Sequence, residues 1–166
     1  TLVFNEIMYH PSGANEDLEF IEFFNQMGID LDVSKWQLTD GVEFQFPEGT
    51  VVPSGGYVVV ARDPGALSQL RGIEALGPYG GALSNGGELL ELRDRNLRLM
   101  DSVEYDDAAA WPLAPDGVGP SLAKADSGTT SGAAEHWTSS RIVGGTPGGP
   151  NFLGSLDPPP EDRVQT

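Results

Sequence analysis

The sequence predicts an all-β sandwich of roughly eight or nine short strands with one short helix. Three observations carry that expectation. Short apolar or alternating runs recur along the chain, each bounded by turn residues. The composition, with 22 glycines and 13 prolines among 166 residues, supplies the turns that many short strands need. Both features are densest from Trp36 to Ala61 (WQLTDGVEFQFPEGTVVPSGGYVVVA), where Val42, Phe44 and Phe46 alternate with Glu43 and Gln45. That alternation is the mark of a half-buried strand. Tyr57 to Ala61 is apolar on both faces and reads as a strand in the middle of a sheet.

Taken in order, Leu2 to Tyr9 is the first strand, with Val3, Ile7 and Tyr9 in phase, Asn5 interrupting that face and Glu6 opposite. Leu18 to Asn25 is the second: Phe20, Glu22 and Phe24 share one face, and Glu19, Ile21 and Phe23 the other. Each face therefore carries an acid among apolar groups, which is costly unless the carboxylate is paired or coordinated. A strand beginning at Ile29 is expected to continue through Trp36 to Thr39. Asp63 as N-cap and Pro64 at the first helical position announce the one helix, closed by Gly72. Glu88 to Arg93 and Leu97 to Tyr105 read as a hairpin across Asp94-Arg95-Asn96. Beyond Asp106 the chain is mostly loop, with a last strand expected near Ser121 to Ala125 and a turn or strand edge near Trp137.

A length of 166 residues suits one domain. We expect that domain over residues 1–152, followed by a Pro-rich acidic linker or disordered tail over 153–166. The start at Thr1 and the Asp157-Pro158-Pro159-Pro160-Glu161-Asp162 run read as the ends of a piece of something longer. Twenty-five acids against nine bases leave a net charge of −16, which makes nucleic acid and anionic membrane surfaces poor partners. The absence of cysteine excludes disulfides, thiolate metal sites and cysteine nucleophiles. No apolar run approaches the roughly 20 residues that direct membrane insertion needs.

The blocks LVFNEIMYHPSG, DLEFIEFFN, DVSKWQLTDGVEFQFPEGTVVPSGGYVVVA, LSNGGELLELRD, DSVEYDD followed by WP, and GGTPGGPN resemble, in that order, a bacterial lamin tail domain. The likeness runs from Leu2 to Asn151. It implies an immunoglobulin-like sandwich serving as a non-catalytic structural or interaction module of a larger exported protein, at the cell surface or outside the cell. The partners it implies are other domains of the same chain or another protein. It supplies no catalytic residues. Eukaryotic lamin tails are basic and engage nucleic acid or chromatin; this chain is acidic, and that partnership is not carried over.

The residues themselves suggest two kinds of site. Acidic, oxygen-only clusters select calcium, and the candidate ligands are Asn5, Glu6, Glu19, Glu22, Asp40, Asp106 and Asp107. The spacing of a helix–loop–helix calcium site is absent, and the competing expectation is that these groups bond to backbone or hydroxyl neighbours. No cofactor is otherwise required. Trp111 and Trp137, in loop-rich sequence, are candidates for a polysaccharide-binding platform, weighed against a role in plugging the ends of the sandwich. The alternative function is thus a carbohydrate-binding module with a structural calcium. For an enzyme, neither His10 nor His136 has a nucleophile in a recognisable frame, and Glu19 and Glu22 face opposite ways; no catalytic residue is assigned.

Overall fold

The computed structural model describes residues 1–161. Its strands are β1 (Leu2–Met8), β2 (Phe20–Asn25), β3 (Leu31–Asp32), β4 (Gln37–Asp40), β5 (Phe44–Gln45), β6 (Val51–Val52), β7 (Tyr57–Ala61), β8 (Glu88–Arg93), β9 (Leu99–Tyr105), β10 (Leu122–Lys124) and β11 (Trp137–Ser139); the α-helix α1 spans Pro64–Arg71. All the strand pairs are antiparallel. A five-stranded sheet in the order β11-β10-β1-β2-β7 faces a four-stranded sheet in the order β5-β4-β8-β9, and β3 pairs with β6 as a separate ribbon. Three of the eleven strands contain only two residues, so the expected eight or nine are recovered as the longer ones.

The two sheets enclose one apolar core. Leu2, Phe4 and Ile7 of β1, Ile21 and Phe23 of β2, and Val60 of β7 meet Leu38, Leu90, Leu92 and Val103 from the opposite sheet. Phe4 and Phe23 are cross-strand partners whose ring centroids lie 4.8 Å apart. A smaller cluster lies on the outer face of the five-stranded sheet, where Leu67 of α1 covers Met8, Phe20, Val59 and Ala61. The helix starts as expected: Asp63 Oδ1 accepts the Ala66 N–H at 2.9 Å, and Gly72 closes it at φ 69°.

Three strand expectations are corrected. The phase of β1 changes at a bulge, because Phe4 pairs with Phe23 but Glu6, not Asn5, pairs with Glu22. The extra residue is Asn5. Leu2 and Phe4 therefore join Ile7 and Tyr9 in the main core, while Glu6 turns to the outer face. The strand expected through residues 29–39 is broken between β3 and β4: Asp32 Oδ1 accepts the Ser34 N–H at 2.9 Å and the Ser34 hydroxyl, and Lys35 takes φ 62°. This side chain-to-backbone turn outcompetes the ladder. Finally, β7 is an edge strand. It is apolar on both faces because α1 covers the side that the opposite sheet does not.

Candidate functional site

The bulge at Asn5 sets a buried polar cluster on the outer face of the five-stranded sheet. Asn5, Glu6 and Glu22 have no solvent exposure, and Asn151 has 3%. Over them runs the glycine-rich segment 144–151, which acts as a strap. Glu6 Oε1 accepts the Thr146 N–H at 2.8 Å and the Ser121 hydroxyl, and Glu6 Oε2 accepts the Thr146 hydroxyl at 3.3 Å. Glu22 Oε2 accepts the Gly148 N–H at 2.6 Å, and its Oε1 accepts from Asn5 Nδ2 at 2.8 Å. Asn151 Nδ2 donates to the backbone carbonyls of Asn5 and Lys124, each at 3.0 Å. Arg71, at the end of α1, donates to the Gly145 carbonyl and joins helix to strap.

The two carboxylates are cross-strand partners in a site without water-exposed surface. Burial pushes the Glu6 carboxyl up to about 7, against the opposing pull of the Ser121 and Thr146 donors and the Arg71 cation. Glu22 is pushed well above the ordinary carboxylate range, first by burial and then by the charge of Glu6. The pair therefore holds a proton into the neutral range. Each of the four carboxylate oxygens accepts at least one hydrogen bond from a backbone or side-chain donor, which is how such a site avoids the cost of orphaned polar groups.

Glu19 lies apart, buried just before β2. Its Oε2 accepts the Tyr79 hydroxyl at 2.8 Å and the Leu83 N–H at 3.0 Å, and Arg62 Nη1 stands 3.6 Å from its Oε1. Burial raises its carboxyl, while these donors and the Arg62 charge pull it back. Asp40 is exposed at the end of β4 with φ 77°. Asp106 is exposed and caps its own loop through the Ala108 N–H at 2.9 Å. Asp107 is half-buried beside it; their charges, with that of Asp116, add to the burial that raises the Tyr9 hydroxyl. The seven acids and amides considered as calcium ligands are thus divided. Asn5, Glu6 and Glu22 come together, and Glu19, Asp40 and the Asp106-Asp107 pair lie elsewhere. Among the described residues, no three His, Cys, Asp or Glu side chains gather in a way that could hold a metal ion.

Of the two roles weighed for Trp111 and Trp137, the structure places both rings in the core and neither on an exposed platform. Trp137 has no exposure and Trp111 only 8%; their ring centroids lie 6.4 Å apart with planes at 42°. Trp137 Nε1 donates to the Ser131 carbonyl at 2.8 Å, and neither ring offers a face to a sugar. Beside them is a residue that sequence reasoning missed. Lys124 points to the core side of β10, with Nζ donating to the Thr129 carbonyl at 2.7 Å and lying 5.7 Å from the Trp137 ring. Burial pulls its ammonium down to about 8. Asp101 was missed as well. Its Oδ2 accepts the Phe4 N–H at 2.8 Å and the Ser131 hydroxyl, tying β9 to β1 across the sandwich. An inward acid on a strand and a lysine between apolar neighbours are the signals that could have marked them.

Surface grooves of about 220, 440, 490 and 980 Å³ are lined by residues other than Glu6, Glu19 and Glu22; the one of about 440 Å³ runs along the outside of the strap, past Thr146, Gly148 and Asn151. No helix among the described residues is long and apolar enough to cross a membrane. The model of the lamin tail domain family matches residues 1–107, from β1 through β9. The chain belongs to the lamin tail domain family. Comparisons with curated proteins and with solved structures find no match. Within this lamin tail domain, the carboxylates Glu6 and Glu22 fall in the matched region. Their covering donors, Ser121, Thr146, Gly148 and Asn151, come from the residues after it.

Proposed function

We propose that this domain is a non-catalytic structural or interaction module of a larger exported bacterial protein, docking neighbouring domains, a protein partner or an envelope polymer. The observation that carries the reading is the use to which the chain puts its perturbed carboxylates. Glu6, Glu19 and Glu22 are buried and bonded to the chain's own backbone and hydroxyl donors. A catalytic acid must reach substrate, and these reach the fold. The immunoglobulin-like family it belongs to, a family of interaction and structural domains, supports the same reading. Neither a cofactor nor calcium is required by it.

The test is a set of conservative variants, Glu6→Gln, Glu19→Gln and Glu22→Gln, made in the parent protein. Each should shift the melting temperature and leave any enzymatic step of the parent protein unchanged. An enzymatic step abolished by one of them, at unaltered melting temperature, would overturn the reading. Millimolar calcium and chelator should leave the melting temperature where it is. Calcium-dependent stabilisation together with saturable binding to a polysaccharide would favour a carbohydrate-binding module instead.

A further inference from the structure

The four edges of the two main sheets are not treated alike. The edge of β7 is covered by Leu76, which donates to the Val59 carbonyl and accepts from the Ala61 N–H, each at 2.8 Å. Beside β5, Glu43 exchanges backbone hydrogen bonds with Gly80 at 3.0 and 2.7 Å. The Pro158 and Pro160 carbonyls lie alongside β11, accepting from Arg141 and Thr138. The remaining edge, β9, is one of the two longest strands, with seven residues.

The register decides which groups of β9 are free. Gly41 N–H donates to the Leu89 carbonyl, so Leu89 and Glu91 turn their backbone groups to β4. Glu88 and Leu90 then turn theirs to β9, where Tyr105 and Val103 are their partners. Ser102 and Glu104 consequently direct N–H and C=O away from the sheet, and among the described residues no backbone partner meets them. Ser102 is half-buried and Glu104 exposed. Such a row is a template for strand addition.

We infer that the outer edge of β9 is a docking site for an extended peptide in which basic and apolar residues alternate. This rests on the interaction-module reading and gives it a surface. Charge selects the occupant. Residues 99–110 carry Asp101, Glu104, Asp106 and Asp107 and no lysine or arginine, within a chain of net charge −16. Two copies meeting at this edge would set these acids against each other, whereas a basic strand is attracted. Strand geometry sets the alternation. One set of side chains on an added strand joins the solvent face beside Ser102 and Glu104, where a lysine meets the Glu104 carboxylate. The other set turns towards the seam between the sheets, beside buried Val103.

The probe is a short peptide of alternating lysine and valine, compared with the same peptide N-methylated at alternate amides, which keeps the charge and removes half the strand donors. The unmodified peptide should slow hydrogen exchange of the Ser102 and Glu104 amides by at least about tenfold. The methylated one should bind at least about tenfold more weakly, and Glu104→Lys should weaken the unmodified peptide. Ser102→Pro, which removes an outward N–H that the ladder does not use, should abolish the protection. If that variant does not fold, the exchange data on the unaltered protein still decide. Equal binding of both peptides, protection at Gln45 or Thr138 in place of Ser102 and Glu104, or no binding would each overturn the assignment. Those failures leave the interaction-module reading standing, because that reading is tested separately, by the carboxylate variants and by calcium and polysaccharide binding.

Discussion

The two faces of the five-stranded sheet are buried by different means. On the inner face, Leu2, Phe4, Ile7, Ile21, Phe23 and Val60 meet the opposite sheet through apolar contact, with the Phe4 N–H to Asp101 bond as a polar tie beside them. On the outer face, α1 covers one end with Leu67, and the rest is closed by a glycine-rich strap bonded to Glu6, Glu22 and Asn5. Apolar burial is strong and non-directional, so it sets how much stability the sandwich has and tolerates small rearrangement. The polar face works by matching: each carboxylate oxygen needs a particular N–H or O–H, and one missing donor leaves a buried group unsatisfied. The inner face thus holds the sheets together, and the outer face fixes where residues 144–151 must lie.

The largest effect should come from the inner face. Phe23→Ala removes a fully buried ring that packs at a tilt against Phe4 and meets Phe46 edge-on. It should cost about 3–5 kcal/mol in chemical denaturation, and a loss comparable to a surface substitution would mean that the inner face does not hold the sheets together. Gly145→Ala should follow at about 3 kcal/mol, since Gly145 sits at φ 72° and an added Cβ would collide with the Glu6 carboxylate and the Ser121 hydroxyl. Asn151→Ala should cost about 2 kcal/mol by orphaning the Asn5 and Lys124 carbonyls. It should also speed proteolysis within residues 144–151 before the rest of the domain yields. Lys35→Ala, which breaks an exposed ion pair with Glu48 at 2.9 Å, should stay within about 0.5 kcal/mol.

Much of the inner face was legible in the sequence, because period-two alternation is a direct imprint of a sheet with one buried side. Ile21 and Phe23 opposite Phe20, Glu22 and Phe24 are placed as the pattern reads. The β1 phase was not, since a bulge adds one residue without any change of composition. The outer face was legible only in half. Asn5, Glu6 and Glu22 stand out in the sequence as polar groups on otherwise apolar strands, and the structure brings these three of the seven candidates together. Their covering strap, GGTPGGPN, reads as a punctuated exit because backbone N–H groups carry no residue signature. At Trp137 the sequence leaves platform and plug both open for a related reason: a three-residue strand is too short to display a period.

The Glu6–Glu22 pair is a proton-holding lock on the strap. A carboxyl whose folded-state pKa is raised contributes stability that is fully present below its unfolded value and is lost as pH rises through the folded one. For Glu6 that window opens at the ordinary glutamate value of 4.5 and runs through about 7. Asp32 and Asp94, held below the ordinary range, act in the opposite sense only at more acid pH. Glu6→Gln keeps an acceptor for Ser121 and the Thr146 N–H and offers a donor to the Thr146 hydroxyl, while removing the titration. Urea unfolding from about pH 5 to about pH 8 therefore tests the claim directly. The unaltered domain should lose stability steadily across that range, and Glu6→Gln should flatten the slope. Stability that is level or rises with pH in the unaltered domain, or an equal slope in the variant, would contradict it.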